Sequence, residues 1–186
     1  MLRRALLASL AALAGCASPN PDLYTITVVP GSPQPGGPKL VVLHDIGLAR
    51  YLERSQIVRS SDNYRLNVQA NDWWGEPLGS MLARVLVEEL SQRLPGTSVF
   101  AEAGAISPTA DAVLEVNVQR MDAGSDGVLV LAAQVAVSRQ RGPRNDRTRT
   151  VRLTVPIAGP ETRSAVAAMS TAVAQLADAI AAMLRA

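Results

Sequence analysis

Cysteine and histidine are almost absent from this chain of 186 residues, and both absences limit its chemistry. Cys16 is the only cysteine, so no disulfide can form within the chain. His44 is the only histidine, which excludes a metal centre built from several histidines. A Ser-His-Asp triad would have to use His44, but no serine stands in the Gly-x-Ser-x-Gly setting of a nucleophile elbow. A lone histidine at a strand end is usually a solvated residue, so we predict no enzyme activity.

Lysine and aromatic residues are also scarce, and the charge is balanced. Lys39 is the only lysine, and aromatic residues make up 3% of the chain, so any aromatic cluster stands out. The net charge of +2 includes Arg3 and Arg4; without them, 18 basic residues become 16 against 16 acidic ones. A neutral chain gives no reason to predict nucleic-acid binding. No glycine-rich phosphate loop appears, and no cofactor is predicted.

The first residues have the pattern of a lipoprotein signal peptide. Arg3 and Arg4 precede an apolar run at residues 5–14, which is shorter than the roughly 20 residues that cross a bilayer. The run ends in Leu13-Ala14-Gly15-Cys16, which resembles a lipobox, in which the cysteine thiol receives a diacylglycerol. The alternative is an ordinary cleaved signal that happens to contain a cysteine. We predict a signal peptide at residues 1–15 and lipidation of Cys16.

The residues after Cys16 predict where the protein is held. In lipoproteins of this kind an aspartate directly after the cysteine typically retains the protein at the inner membrane. Ala17 stands there, so resemblance to the sorting rule favours the outer membrane, with the protein facing the periplasm. Residues 16–38 are rich in proline and glycine and predict a lipidated tether, in which the β-prone residues 24–29 are suited to dock as an edge strand. Residues 39–186 then form one folded domain.

The periodicity of that domain predicts an α+β two-layer sandwich. Strands are predicted at residues 40–43, 97–101, 112–122, 128–138 and 148–157, and a hairpin at residues 56–70. A helix starts at Glu76-Pro77 and ends before Pro95-Gly96, and a second helix covers residues 161–185. One mostly antiparallel sheet with the two long helices on one face buries all the apolar stripes.

The second helix carries a regular apolar seam, which has two interpretations. The spacing is that of coiled-coil a and d positions, at Val166, Met169, Val173, Leu176, Ile180 and Met183. A helix that packs on its own sheet is favoured because three heptads are short for a coiled coil. A seam offered to another subunit, and hence a homo-oligomer, is the alternative.

Two clusters are candidates for a partner or lipid interface. Trp73 and Trp74 are adjacent, so we expect one to pack inward and the other to be available to an interface; the alternative is that both cover the edge of the core. Six arginines surround a predicted turn, opposed only by Asp146. They are a solvated hairpin tip or a surface for anionic headgroups or an acidic partner. These arginines are Arg139, Arg141, Arg144, Arg147, Arg149 and Arg152.

Several segments together resemble the ABC-type transport auxiliary lipoproteins, the PqiC-like family. They are the lipobox, Tyr24-Thr25-Ile26, the run from Arg50 to Arg59 and, most specifically, Trp73-Trp74-Gly75-Glu76-Pro77-Leu78. The chain departs from the family pattern at Glu53, where aspartate is commoner, and at Ala49-Arg50, where a proline often precedes Tyr51. These departures leave the subfamily open.

The resemblance implies a non-catalytic component of a lipid transport system. Such lipoproteins are outer-membrane partners of MCE-domain proteins, which bridge the periplasm and carry phospholipids or other hydrophobic molecules. The membrane, through the lipid anchor, and an MCE-domain protein are therefore the expected partners. The competing hypothesis is an envelope lipoprotein that activates a cell-wall synthase or pilots a secretion complex, because fold does not determine function.

Overall fold

The computed structural model of the chain describes residues 20–62, 64–106, 108–124, 126–140 and 146–186. The predicted signal peptide and Cys16 lie outside these residues. The described chain forms one sheet and two α-helices, with a 3-10 turn at Arg50–Leu52. The strands are β1 Asp22–Tyr24, β2 Leu40–Leu43, β3 Gly47–Leu48, β4 Gln56–Asp62, β5 Arg65–Trp74, β6 Ser98–Ala101, β7 Ala112–Ala123, β8 Val128–Arg139 and β9 Arg147–Pro156. The helices are α1 Leu78–Arg93 and α2 Thr162–Arg185.

The long strand β7 organises the sheet. One of its edges pairs with β8 along its whole length, and β8 pairs in turn with β9. The other edge pairs in succession with β2, β3 and β4. The sheet therefore branches: β6 lies beyond β2 at one end of β7, and β5 and β1 lie beyond β4 at the other. Strand β8 pairs with β7 along one edge and with β9 along the other, and its largely apolar sequence suits this central position.

Both helices cover the same face of the sheet, which confirms the α+β two-layer fold. The inward residues of β7 are buried at Leu114, Val116 and Val118, while Glu115 and Asn117 on the opposite face are exposed. Helix α2 packs on β7, β8 and β9 and also against α1. All these contacts form one continuous hydrophobic core, as expected from alternating and 3.6-residue periodicities.

The apolar seam of α2 lies entirely inside this core. All six seam residues are at most 8% exposed, which confirms packing on the chain's own sheet. The alternative, that the seam is offered to another subunit, is wrong for these residues. Thr162–Arg185 is also long and apolar enough to cross a membrane by composition, but 67% of its apolar window is buried within the protein, as in a core helix.

The sheet is mixed, which refines the mostly antiparallel arrangement predicted from the sequence. The longest ladders, β4–β5, β7–β8 and β8–β9, are antiparallel as expected. The short strands add parallel pairs, β1 with β5, β2 with β6 and β7, and β3 and β4 with β7. Parallel partners are joined by crossovers instead of tight turns, so they are distant in sequence and no local pattern identifies them.

The segment before β2 packs on the domain, which differs from the tether predicted for residues 16–38. Strand β1 pairs with β5, and the Ile26 side chain is 1% exposed in the core. The Thr27 N–H donates to the Ser170 hydroxyl of α2 at 3.2 Å, and the Val29 N–H donates to Glu89 of α1 at 2.9 Å. Prolines limit strand pairing but do not prevent an extended chain from packing through alternate apolar residues. We call residues 25–35 the strap.

Candidate functional site

The two tryptophans have different environments. Trp74 is 7% exposed in the core, and its backbone N–H donates to the Ser55 carbonyl at 2.8 Å. Trp73 is half-buried, and its indole Nε1 donates to the Ala70 carbonyl at 2.9 Å. The expectation that one tryptophan packs inward is confirmed, and the core position of Trp74 removes it from the candidate interface. An interface role for Trp73 stays a prediction.

Two of the candidate arginines hold the end of α2. Arg139 donates to the Leu184 carbonyl at 3.2 Å, and Arg147 donates to the carbonyls of Met183 at 3.4 Å and Ala186 at 2.6 Å. The last carbonyls of a helix have no partner within the helix and carry partial negative charge, so arginines stabilise them. These hydrogen bonds give Arg139 and Arg147 a structural role at the end of α2.

Of the four remaining arginines of the cluster, the structure describes two. Arg141 and Arg144 lie outside the described residues. Arg149 and Arg152 are exposed on β9, a strand that pairs only with β8 in the described sheet. The predicted surface for anionic headgroups or an acidic partner therefore stays a hypothesis for the four arginines that do not hold the end of α2.

An open groove lies on the solvent face of the sheet around His44. Its volume is about 760 Å³. His44 Nδ1 lies 3.4 Å from Glu115 Oε1, and Nε2 lies 3.8 Å from Glu102 Oε1. The imidazole thus faces two carboxylates, as a solvated surface histidine does. Within the described ranges, no three His, Cys, Asp or Glu side chains are grouped to hold a metal ion.

A second groove, of about 690 Å³, runs along the outer side of α1. Its walls are mostly apolar, from Gly79, Ala83 and Val87 on α1 and Ile46 and Leu48 beside it. The three α1 residues are spaced four apart and are small or apolar, so they form a second stripe along the helix. This stripe is less apolar than the one that packs in the core, and it was not identified from the sequence. Asp45 lines both grooves, so they meet at the connection between β2 and β3.

A buried charged cluster lies under the strap, and the sequence did not predict it. Arg93 is 1% exposed, and its Nε donates to Asp178 Oδ1 of α2 at 2.6 Å. Its Nη1 and Nη2 also donate to the carbonyls of Val29 and Ala174, at 3.4 and 3.2 Å. The i, i+4 spacing of Glu89 and Arg93 was the only available sequence signal.

Glu89 shares this cluster and is 0% exposed. One carboxylate oxygen accepts from the Val29 N–H, and the other has no hydrogen-bond partner. Burial raises the pKa of Glu89 above its ordinary value, although Arg93 one turn away acts in the opposite direction. Asp178 and Glu88 are nearby negative groups that raise this pKa further. The ionised form of Glu89 is thus disfavoured in the folded protein.

We expect Glu89→Gln to flatten the dependence of stability on pH. A raised folded pKa stabilises the protonated form, so its contribution is complete below the ordinary pKa of 4.5 and is lost as the pH rises through the folded value. The variant keeps an acceptor for Val29 and carries no charge, so it should exceed the native protein in stability by about 1 kcal/mol at pH 8. Urea unfolding between pH 5 and 8 measures this effect. Glu53→Gln, at an exposed carboxylate outside this cluster, is the control and should leave the native profile unchanged.

A second polar cluster joins the 3-10 turn to β7. The Tyr51 hydroxyl donates to Asp122 Oδ2 at 2.5 Å, and Arg120 Nε donates to Asp122 Oδ1 at 3.0 Å. Asp122 is 0% exposed, near a register shift in the β7–β8 ladder. Burial, together with the hydrogen bond to Asp122, raises the pKa of Tyr51. The cluster satisfies a buried carboxylate at an irregular part of the sheet.

Comparison with known proteins decides the family. Residues 24–181 match the sequence model described as "ABC-type transport auxiliary lipoprotein component". The chain belongs to this family. It is therefore an auxiliary lipoprotein component of ABC-type transport, as the resemblance of its segments implied. The match begins within β1, so the family domain includes the strap as well as the sheet and helices.

Individual relatives agree with this assignment. The chain is 27% identical over 133 residues to "Intermembrane transport lipoprotein PqiC" of Escherichia coli (strain K12), covering 69% of this chain and 70% of that protein. The Shigella flexneri protein of the same name matches equally. A crystal structure of an uncharacterized protein has a TM-score of 0.74 at 20% identity, covering 89% of this chain and 99% of the other. A Xanthomonas campestris protein follows at 0.70 and 18%, covering 87% and 94%. These two structures share the fold.

The segments that resemble the family have structural roles in this member. Tyr51 holds Asp122, and Trp74 lies in the core. Glu76 accepts a hydrogen bond at 2.6 Å from the guanidinium of Arg84, which lies in the second turn of α1. Their arrangement brings the N-terminal segment, β5 and α1 together, because the Gly75 N–H also donates to the Tyr24 carbonyl at 2.9 Å. Residues 74–76 therefore lie at the junction where the strap enters the domain.

Proposed function

We propose that this protein is a non-catalytic, periplasm-facing lipoprotein that docks an MCE-type lipid transport system at the outer membrane. The observation that carries the proposal is the family domain beginning at residue 24, only a few residues after the lipobox cysteine. A receptor fixed at one membrane restricts the diffusion of its partner and raises the effective concentration of the docking site. The polar clusters described above have structural explanations, which supports a role without catalysis.

Lipidation of Cys16 supplies the anchor in this proposal. Each buried methylene contributes roughly 0.8 kcal/mol, and two or more acyl chains give stable attachment. A diacylglyceryl group on Cys16 meets that condition without any contribution from the domain. Ala17 after it, instead of aspartate, supports delivery to the outer membrane.

The two grooves that meet at Asp45 are the proposed surface for the MCE-domain partner. The groove on α1 offers apolar walls, and the groove around His44 offers exposed carboxylates at Glu102 and Glu115. A surface of apolar centre and polar rim has the composition of a protein-binding site. A homo-oligomer, if formed, has to use a surface other than the buried seam of α2.

Cys16→Ser tests the anchor and the mechanism together. The native protein is expected to incorporate labelled palmitate and to sediment with outer membranes, whereas the variant should be unlabelled and soluble in the periplasm. Because Cys16 precedes the family domain, we expect the variant to fold normally and yet to fail to support envelope integrity. Full complementation by the soluble variant would contradict a mechanism based on the anchor.

Two controls sharpen that experiment. Ala17→Asp keeps the acylated cysteine but places an aspartate at the sorting position, so it should move the protein to the inner membrane with palmitate still incorporated. Crosslinking in cells should recover an MCE-domain protein with the native chain. Recovery of a penicillin-binding protein in its place would favour the activator of a cell-wall synthase over the transport component.

A further inference from the structure

The tip of the β4–β5 hairpin exposes large apolar side chains. Tyr64 is 110% exposed and Leu66 is 43% exposed, which makes them two of the four exposed large hydrophobic residues in the described chain. The hairpin also protrudes: Ser60 of β4 pairs with Ala123, the last residue of β7, and β4 continues to Asp62. The tip therefore extends past the end of the sheet's longest strand.

The backbone of Tyr64 adds to this observation. Its φ is 65°, the only positive φ of a non-glycine residue in the described chain. A bulky side chain in the left-handed region is strained, and glycine or asparagine would take this conformation more easily. An exposed aromatic ring at such a position adds nothing to the core, so the strain suggests a role outside the fold.

The start of the described chain points toward this tip. Strand β1 runs parallel to β5, with Asp22 opposite Asp72 and Tyr24 opposite Trp74. Residues that precede Asp22 therefore leave β1 in the direction of the first residue of β5, which adjoins the tip. The six residues from Cys16 to Asp22 reach at most about 20 Å. Leu66 is six residues from Asp72 along β5, no more than about 20 Å away, so Cys16 can reach the tip.

We propose that Tyr64 and Leu66 insert into the interfacial layer of the membrane that holds the acyl chains of Cys16. This inference rests on the anchor of the proposed function. Tyrosine suits the interface because its ring is apolar and its hydroxyl is polar. Arg65 between them is exposed, and its apolar stem lets the guanidinium stay at headgroup level. The exposed apolar tip and the distance that the chain from Cys16 can reach both indicate that the tip contacts the bilayer.

Two attachment points orient the domain. The anchor alone is a single point of attachment, which does not fix the orientation of the domain relative to the membrane. With the tip inserted as well, the β7–β8 turn end faces the membrane, because Ala123 lies beside the hairpin. Leu114 of β7 pairs with Leu43, which directly precedes His44 and Asp45. Leu114 lies nine residues before Ala123 on β7, which places it about 30 Å from the end of the sheet that faces the membrane. The two grooves at Asp45 are then held away from the membrane, toward a partner in the periplasm.

A single-cysteine label tests the insertion. The full chain carrying Leu66→Cys is produced with its signal peptide, labelled at the introduced thiol with an environment-sensitive dye and reconstituted in phosphatidylethanolamine–phosphatidylglycerol vesicles. An acylated Cys16 has no free thiol, so it does not react. We expect lipids spin-labelled just below the headgroups to reduce the emission about twofold, since interfacial side chains lie about 5–10 Å deep. Ile106→Cys, at another exposed apolar residue, is the control and should not be quenched.

The outcomes separate this inference from the anchor. Mass spectrometry of the purified chain reports acylation, so an unmodified Cys16 overturns the proposed function and this inference with it. If the chain is acylated but the label at position 66 is quenched no more than the label at position 106, the anchor is supported and insertion of the tip is overturned. If the emission changes equally in a sample without vesicles, the label responds to contact with protein and not with lipid. This outcome also overturns insertion. Tyr64→Asp in the labelled chain should abolish the quenching while leaving the circular dichroism spectrum unchanged.

Discussion

Replacing Arg93 by alanine is expected to lower the free energy of unfolding by about 3 kcal/mol. Arg93 is 1% exposed between α1, α2 and the strap, and it donates to a carboxylate and to carbonyls of all three elements. Its removal leaves a cavity and takes the positive charge away from Glu89, whose carboxylate is 0% exposed. A buried acid that loses its nearest cation is costly, and the strap loses part of its attachment.

Arg84→Ala is the matched control, on the same helix. Arg84 pairs with Glu76 at 2.6 Å, but its side chain is 51% exposed, so its loss should cost less than about 1 kcal/mol. Denaturant unfolding of both variants measures the difference. Equal and small effects would mean that the buried cluster adds little beyond what a surface ion pair adds.

Gly31→Ala tests the same contact from the side of the strap. A Cβ at Gly31 would lie 2.3 Å from the Arg93 guanidinium carbon and 2.5 Å from Nε. Because Arg93 is held by its partners on α1 and α2, the strap has to move away. We expect this variant to be destabilised and its strap to be cut faster by protease, with α1 and α2 intact. Unchanged protease resistance would contradict the role of Gly31.

Removing the hydroxyl of Tyr51 should have the second largest effect. Tyr51→Phe takes away the donor at 2.5 Å from Asp122, a carboxylate that is 0% exposed. The ring remains, so the change removes only the hydrogen bonds of the hydroxyl, which also accepts from the Met121 N–H at 3.4 Å, and we expect a loss of about 2 kcal/mol. Tyr64→Phe is the control: its side chain is fully exposed, and the change should be close to zero. An unchanged stability of Tyr51→Phe would show that the other partners of Asp122, Arg120 among them, satisfy its carboxylate without this hydroxyl.

The same residue predicts sensitivity to alkali. Burial raises the pKa of Tyr51 above its ordinary value of 10.0, so the neutral phenol is the stabilised form. That contribution is complete below about pH 10 and is lost as the pH rises toward the folded pKa. Ionised Tyr51 would face the charge of Asp122. We expect the native protein to lose stability above about pH 10 more steeply than Tyr51→Phe in urea unfolding.

Elements with strong local patterns were predicted closely from the sequence. Residues 161–185 were predicted as the last helix, which spans Thr162–Arg185, and residues 112–122 were predicted as a strand, which spans Ala112–Ala123. Each is long enough for its periodicity to exceed noise, and each lies against one face of the core. The mixed sheet was not predicted, because β2 and β3 have only four and two residues and pair with strands far along the chain.

For the candidate sites too, local features were predicted from the sequence, and contacts between distant residues were not. Adjacent tryptophans correctly indicated that one ring packs inward, which is a consequence of chain geometry. The arginine run had two interpretations, a solvated hairpin tip or a surface for anionic headgroups or an acidic partner. In the structure Arg139 and Arg147 instead hold the carbonyl end of α2, which is 36 or more residues away in sequence. The groove along α1 could not be predicted either, since its walls come from α1, the connection around Asp45 and the loop after β6.

The sequence by itself determined the fold class, the family-like segments and the prediction that Cys16 carries the anchor. Those properties depend on local order: an apolar run before a cysteine, alternation in strands and helical spacing. Only the tertiary structure decided that the strap is clamped by Glu89 and Arg93, and that β1 directs the chain toward the hairpin tip. These arrangements arise from contacts between residues tens of positions apart, where burial and packing choose among partners that look alike in sequence.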